Sequence, residues 1–239
     1  MGTEQQLHSR LTEGIRQVRI ERPSRKNALT LPMFAELAAI LDEANRDTDV
    51  RAVVLSGGGD SFTAGHDLDA FAQWPQQRGD PVPAFLHALA DLDKPLIVAV
   101  HGVAMGIGAT LLLHADWVCC LADARLRFPF VDLGIGPEAG SSFLLARAVG
   151  LQRARRLLLG GEEFSGRQAF EWGLVTELVD HDVLMENTLL RAHALADKPA
   201  PAFAGIKQLI KRPPTGIGER IDEELAFINH ALAERHGTE

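Results

Sequence analysis

The chain has 239 residues, of which 46% are hydrophobic and 23% charged, and this composition is typical of a globular protein with a sizeable core. Its formal net charge is −8, which argues against a general nucleic-acid binder because such proteins present a basic face. The N-terminus has no apolar segment of a secretory signal, and no apolar run reaches the ~18 residues of a membrane span. We therefore expect a soluble protein without a nucleic-acid or membrane partner.

The two cysteines, Cys119 and Cys120, are adjacent in the sequence. Neighbouring residues of a strand point to opposite faces of its sheet, so we expect no disulfide between them. No metal-ligand spacing such as C-x-x-C or H-x-x-x-H occurs. These features predict a protein of the reducing cytoplasm that holds no metal ion.

Strands and helices alternate through the first part of the chain. Apolar runs predict strands over residues 15–20, 52–55, 96–100 and 117–121. Helices are predicted after Thr30, near Asp67, over residues 83–92 and from about Gly106. This alternation predicts an α/β core with much parallel strand pairing.

Strands become rare after about residue 140. Ser165 and Gln168 form a capping-box pattern for a helix that ends near Gly173, and residues 174–179 form the last predicted strand. Three helices are predicted from Asp182 onward, so we divide the chain into a core, 1–181, and a helical region, 182–239. The last helix carries apolar residues on one face: Ile221, Leu225, Ile228 and Leu232. We expect this face to cover either the chain's own core or a neighbouring subunit.

Two loops share one design, in which a strand is followed by small residues and then by a helix start. They are residues 61–68, Ser-Phe-Thr-Ala-Gly-His-Asp-Leu, and residues 101–110, His-Gly-Val-Ala-Met-Gly-Ile-Gly-Ala-Thr. Helix starts leave N–H groups without intrahelical acceptors, and glycine lets a ligand approach them closely. Two such loops facing each other would form an oxyanion hole. Each loop alone is more often only a turn. A dinucleotide fingerprint is excluded at Gly106, because Leu111 replaces its third glycine.

Together with a third segment, residues 128–142, these loops resemble the enoyl-CoA hydratase/isomerase, or crotonase, superfamily. Residues 21–30, with the pattern R-P-x-x-x-N-A-L, and residues 94–102 and 169–175 extend the resemblance over nearly the whole chain. The resemblance implies an α/β fold, a crotonase-like ββα spiral core with a helical C-terminal trimerisation region. It also implies a homotrimer or a dimer of trimers.

The same resemblance assigns the site. The oxyanion hole would use the main-chain N–H groups of His66 and Ile107, the latter next to Gly106, while the His66 ring is the less favoured catalytic group. The acyl-CoA thioester, with coenzyme A as part of the substrate and no other cofactor, would be bound at residues that include the following: Lys26, Ala28, Ala64, Asp67, Leu68, Gly106 and Pro129.

Hydratases of this superfamily carry two glutamates that position a water molecule. Their counterparts here are Thr110 and Phe130, neither of which takes a proton at neutral pH. Residues 128–142 instead resemble the Δ3,Δ2-enoyl-CoA isomerases, in which Glu138 would be the single base that moves a proton from C2 to C4. Apolar neighbours such as Leu133 and Ile135 would raise the pKa of Glu138 toward neutrality.

Other assignments stay open at this point. Glu138 is alternatively a first-turn helix glutamate, and Asp132 either lines the pocket or bonds to a loop. Lys207 and Lys211 either contact a CoA phosphate or, as we favour, form a solvated helix face. The chain is alternatively a hydratase, another crotonase-type lyase or an acyl-CoA-binding protein without turnover.

Overall fold

The computed structural model describes residues 6–73, 75–212 and 216–236 of the chain. The strands are β1 (Leu7–Thr12), β2 (Ile15–Ile20), β3 (Ala52–Gly57), β4 (Leu96–Val100), β5 (Val103–Met105), β6 (Trp117–Leu121), β7 (Arg125–Arg127), β8 (Glu163–Ser165) and β9 (Glu177–Val179). The α-helices are α1 (Leu31–Arg46), α2 (Pro81–Asp91), α3 (Ile107–Thr110), α4 (Ser141–Val149), α5 (Leu151–Gly160), α6 (Gly166–Glu171), α7 (Leu184–Ala196), α8 (Ala200–Lys211) and α9 (Ile217–His236). Short 3-10 helices cover Pro23–Arg25, Leu68–Gln73, Leu111–His114 and His181–Val183.

Two sheets stack the chain into a spiral. The large sheet has the strand order β1-β2-β3-β4-β6-β9, and every pair after the antiparallel β1–β2 hairpin is parallel. The small sheet has the order β5-β7-β8, and parallel bridges from Leu29 to His66 and from Thr63 to Ala104 continue its stacking. Successive turns of the chain therefore lie one above the other, as the predicted α/β spiral requires.

The large sheet is covered on both faces. Val53, Leu55 and Val98 belong to the main apolar core. Val54 and Ile97, which alternate with them, face Ala192, Ala196 and other apolar residues of a second cluster against α7. A sheet buried on both faces produces the continuous apolar runs that predicted β3, β4 and β6 correctly.

The short strands explain what the apolar pattern missed. β5, β7 and β8 have three residues each, and β1 buries only Leu7. The predicted helix at Asp67 is a 3-10 helix, and the one at Gly106 is only four residues long.

The capping box predicted at Ser165 is confirmed, because the Ser165 side chain accepts from the Gln168 N–H and the Gln168 side chain accepts from the Ser165 N–H. Both cysteines are free and buried.

The predicted solvated face of α8 is wrong. Lys207 is only 5% exposed, and its Nζ lies 2.5 Å from the Asp116 carboxylate and 2.8 Å from the Lys94 carbonyl oxygen. Lys211 donates to the carbonyl groups of Ala90 and Leu92. Burial lowers the pKa of Lys207, and the Asp116 carboxylate beside it opposes this shift. The two lysines dock α8 on the core.

The last helix presents an apolar face to solvent. Ile221, Leu225 and Ile228 of α9 are each about half exposed. Leu232 of the same predicted stripe lies outside the side chains that the structure describes. No helix within the described residues combines the length and apolar character that a membrane span needs.

Replacing Lys207 by Met should destabilise the protein by about 3–5 kcal/mol, because Asp116, whose side chain is only 20% exposed, would lose its cation. Thermal unfolding at a fixed protein concentration measures the effect. The exposed residue Lys198 offers a control, since Lys198→Ala removes an ammonium group that is already in water. Equal midpoints for the two variants would show that the ion pair does not hold α8.

Candidate active site

Asn27 fixes the first loop. Its buried side-chain amide donates to the carbonyl groups of Gly58 and Ser61 at 2.8 and 2.6 Å. Its main-chain carbonyl accepts from the Thr63 hydroxyl at 2.7 Å. Its backbone adopts a positive φ of 58°, a conformation that asparagine tolerates better than most residues. The asparagine of the R-P-x-x-x-N-A-L pattern therefore ties the segment before α1 to the loop at Ala64.

Main-chain pairing sets the direction of the His66 N–H. The Leu29 N–H donates to the Gly65 carbonyl and the Asp67 N–H donates to the Leu29 carbonyl, at 2.7 and 2.8 Å. Amide directions alternate along an extended chain, so the His66 N–H is directed away from Leu29. On that other side of the loop, Thr63 pairs with Val103 and Met105.

Gly106 opens the second loop. Its φ of 54° and ψ of −120° lie outside the regions that residues with a β-carbon favour. Its N–H donates to the Arg127 carbonyl at 3.1 Å, and α3 begins at the next residue, Ile107. The Ile107 N–H has no acceptor within its own helix because it belongs to the first turn.

A close contact brings the two loops together. Gly65 has a φ of 91°, and a β-carbon at this position would lie 2.5 Å from the Met105 carbonyl oxygen. Only glycine meets both conditions. The main chain at His66 and at Gly106 is therefore held on adjacent turns of the spiral.

A cavity of about 890 Å3 opens beside these loops. This volume lies within the range of small-molecule sites. Its apolar walls include Val82, Val103, Met105, Phe130, Leu133 and Ile135. The predicted site residues that line it are Lys26, Ala64, His66, Leu68, Gly106, Pro129 and Glu138. The structure thus brings most of the predicted site together.

Three predicted site residues do not line the cavity, namely Ile107, Ala28 and Asp67. Ile107 is fully buried behind Gly106. Ala28 accepts a hydrogen bond from the Arg22 guanidinium at 3.0 Å, and the same group binds the Asp67 carboxylate at 2.5 Å. The hydrogen bond from Arg22 lowers the pKa of Asp67, so this carboxylate stays ionised. Asp67 Oδ1 also accepts from the Asp69 N–H, so this side chain caps the 3-10 helix that begins at Leu68.

Glu138 lies before α4 rather than within it. The helix begins at Ser141, whose N–H and hydroxyl both donate to the Glu138 carbonyl, at 3.0 and 2.7 Å. The alternative interpretation as a first-turn glutamate is therefore wrong. His114 holds the neighbouring residue, because its Nε2 donates to the Ala139 carbonyl at 2.8 Å.

The two oxygens of the Glu138 carboxylate have different environments. Oε1 accepts from the Thr110 hydroxyl at 2.5 Å. Oε2 is shielded from solvent and has no hydrogen-bond partner among the residues that the structure describes. Burial raises the pKa of Glu138 to about 7, although the hydrogen bond from Thr110 opposes the shift. The predicted rise toward neutrality is confirmed, and desolvation is its cause.

The His66 ring carries no positive charge at neutral pH. Burial lowers the pKa of His66 to about 4, and the ring packs on Phe34 with the ring centres 4.6 Å apart. The cations that line the cavity are instead Lys26 and Arg125. Arg125 is held by two 2.8 Å hydrogen bonds to Glu163.

Sequence reasoning missed Arg125 and the contact of Thr110 with Glu138. An arginine in a three-residue strand gives no signal in the sequence. Thr110 was considered only as the residue that replaces a glutamate of the hydratases.

Asp132 forms an ion pair with Arg127 at 2.6 Å and does not line the cavity. No group of three or more His, Cys, Asp and Glu side chains in the described part of the chain is placed to hold a metal ion.

Comparisons with known proteins agree with this geometry. The family described as Enoyl-CoA hydratase/isomerase matches residues 10–223. The 1,2-epoxyphenylacetyl-CoA isomerase of Escherichia coli K12 is 36% identical over 87% of this chain and 82% of that protein. The Enoyl-CoA delta isomerase 2 of Rattus norvegicus is 32% identical over 88% of this chain and 56% of that protein. A solved structure from Magnetospirillum magneticum AMB-1, titled a putative enoyl-CoA hydratase/carnithine racemase, has a TM-score of 0.92 and 36% identity, covering 96% and 91% of the two chains.

Replacing Glu138 by Gln should stabilise the protein at pH 8 relative to the wild type. The raised pKa means that the ionised side chain costs the native state on the order of 3 kcal/mol, from ~1.4 kcal/mol per pKa unit. The advantage of Glu138→Gln should shrink as the pH falls through about 7 and vanish below 4.5, the ordinary pKa of glutamate. Unfolding midpoints across this pH range measure it.

The exposed residue Glu171 gives the control, because Glu171→Gln removes a charge that is already solvated. A Glu138→Gln difference that does not change between pH 4 and 8 would mean that Glu138 ionises as freely in the folded protein as in the unfolded one.

Proposed function

The chain belongs to the enoyl-CoA hydratase/isomerase family, and from this premise we propose that it moves the double bond of a 3-enoyl-CoA thioester to the 2-position. The observation that carries the proposal is the buried carboxylate of Glu138, which has a pKa of about 7 and lines the cavity beside two main-chain loops. A group with this pKa takes a proton and returns it with similar ease at neutral pH.

The reaction needs one base and one site for negative charge. The thioester oxygen would accept hydrogen bonds from the main-chain N–H groups of His66 and Ile107. Glu138 would remove a proton from C2, and the electron pair of that C–H bond would spread over C2, C4 and the thioester oxygen as a dienolate. Return of the same proton to C4 forms the 2-enoyl product and regenerates the carboxylate.

The two N–H groups stabilise the dienolate most strongly when its oxygen carries most charge, which is the requirement for lowering the barrier. The neutral state of His66 supports a main-chain role for this residue, because its ring offers no positive charge to the oxygen. The apolar side chains that line the cavity would lower the local dielectric around the reacting carbons and so strengthen these interactions.

The coenzyme A part of the substrate is expected to run along the loop at Ala64 and Leu68. Leu68 is 69% exposed and lines the cavity, so a pantetheine chain would cover it. Lys26 lines the same cavity and would meet a phosphate as a point charge.

Hydration is less well supported by the site. Both positions at which the superfamily's hydratases carry a glutamate are non-acidic here, and the Thr110 hydroxyl is already bound to Glu138. A binding protein without turnover is less well supported too. The Glu138 carboxylate has a hydrogen bond but no cationic partner among the described residues, so its ionisation destabilises the fold without improving the binding of a thioester. Such perturbed acids concentrate at catalytic sites.

Glu138→Gln should lower isomerase activity by at least the ~10²–10⁴-fold that a lost general base costs, with little change in acyl-CoA binding. Exchange of the C2 proton with solvent deuterium should fall in parallel, because the same carboxylate starts both processes. Glu138→Asp should also be poor, since the shorter side chain withdraws the base from the reacting carbon. An acyl-CoA panel assayed separately for isomerisation and hydration measures these effects.

Asp132→Asn is the matched control, because it removes a carboxylate of the same loop that pairs with Arg127 outside the cavity. A wild-type enzyme that adds water readily and never moves a double bond would reject the isomerase proposal. Isomerisation by Glu138→Gln at the wild-type rate would move the role of base to another residue.

We also propose that α9 joins copies of the chain into a trimer or a dimer of trimers. The half-exposed stripe of Ile221, Leu225 and Ile228 supports this assembly, because such a stripe is costly in water. Sedimentation at micromolar concentration should show the oligomer, and Leu225→Asp should weaken it. A stable wild-type monomer would contradict the assembly.

A further inference from the structure

Thr110 and Glu138 meet across two elements that the chain builds separately. Thr110 is the last residue of α3, the helix that begins at Ile107, and it is fully buried. Its hydroxyl lies 2.5 Å from Glu138 Oε1 and 3.5 Å from the Ile107 carbonyl oxygen. Threonine in a helix usually bonds to a carbonyl of the preceding turn, but here the carboxylate is the nearer acceptor.

We propose that Thr110 is a positioning residue that holds Oε1 of Glu138 and thereby leaves Oε2 as the oxygen that takes the proton from C2 and returns it to C4. This inference rests on the proposed isomerase function. A hydroxyl has one proton to donate, and an ionised carboxylate accepts it at either oxygen. When Oε2 is protonated, Oε1 is still an acceptor, so the Thr110 hydrogen bond persists through the whole cycle.

The environment of Oε2 supports the assignment. This oxygen is shielded from solvent and has no protein partner within the described residues, whereas Oε1 is already bound. A proton on Oε2 therefore breaks no existing hydrogen bond. The carboxylate does not need to rotate between the two proton transfers, because the same oxygen serves both.

The same stretch of chain holds the main chain next to Glu138. His114, four residues after Thr110, donates to the carbonyl of Ala139, whose backbone has a positive φ of 54°. The helical segment from Ile107 to His114 thus supplies an oxyanion donor at its start, the carboxylate contact in its middle and a main-chain anchor at its end. The distance between base and oxyanion hole is set within one short segment.

The other titratable groups near the carboxylate are few. His66, Lys26 and Arg125 line the same cavity, and His114 lies behind Ala139. The pKa of Glu138 responds to burial, which raises it, and to the hydrogen bond from Thr110, which lowers it. Removing the hydroxyl should therefore move the Glu138 pKa upward from about 7.

The test compares Thr110→Val, which keeps the shape and removes the hydroxyl, with Thr110→Ser, which keeps the hydroxyl. Thr188→Val is the matched control, because Thr188 is also fully buried and donates to the Leu184 carbonyl of its own helix. The carboxyl of Glu138 is titrated without substrate by carbon NMR of labelled glutamate, with Glu138→Gln identifying its signal. The pH dependence of kcat/KM is measured alongside.

We expect Thr110→Val to raise the Glu138 pKa, to move the acidic limb of kcat/KM to higher pH and to lower kcat about 10- to 100-fold with little change in KM. Thr110→Ser and Thr188→Val should behave like the wild type. If Thr110→Val does not fold, Thr110→Ala supplies the same comparison with a smaller side chain.

A Thr110→Val enzyme with an unchanged titration and unchanged kcat would overturn the inference, as would a shifted titration with unchanged kcat. Failure of the proposed function gives a different result. A wild type without isomerase activity would reject that function, while the substrate-free titration would still report whether Thr110 holds the carboxylate.

Discussion

The main chain at Gly65 lies so close to the Met105 carbonyl that no side chain fits between them. This contact brings together two turns of the spiral that are about forty residues apart in the sequence, and the proposed oxyanion hole depends on it. Hydrogen bonds along Leu29, Thr63 and Gly106 keep both loops in register with their neighbours. The geometry proposed to bind the thioester oxygen is therefore set by stacked main chains rather than by the side chain of His66.

Glu138, the proposed base, lowers the stability of the folded protein when it is ionised. A carboxylate with a pKa near 7 is costly to ionise inside a protein, and that cost is the property which lets it return a proton at neutral pH. The Thr110 hydrogen bond limits the cost without supplying a full counter-charge. A lysine or arginine in its place would hold the carboxylate ionised, as Arg22 does for Asp67, and would make it a weaker base for the proposed reaction.

Lys207 of α8 is the contrasting case. Its buried ammonium group is bound by the Asp116 carboxylate and by the main-chain carbonyl group of Lys94. The fold therefore holds two kinds of buried ionisable group. The ion pair of Lys207 with Asp116 joins α8 to the core, whereas Glu138, which has no cationic partner among the described residues, lies at the cavity proposed for catalysis.

The apolar runs of the amino-acid sequence by themselves determined the α/β class, because burial of a sheet follows local rules. The resemblance of its segments to the superfamily indicated the family and seven of the residues that line the cavity, among them His66 and Glu138. Asn27, Gly65 and Glu138 were all visible in its patterns, although the division at residue 181 stays a prediction. Only the tertiary structure decided that Lys207 is buried, that α3 is one turn long and that Thr110 bonds to Glu138. These facts depend on which segments meet across the spiral. A contact between residues twenty-eight positions apart leaves no periodic trace in a single sequence.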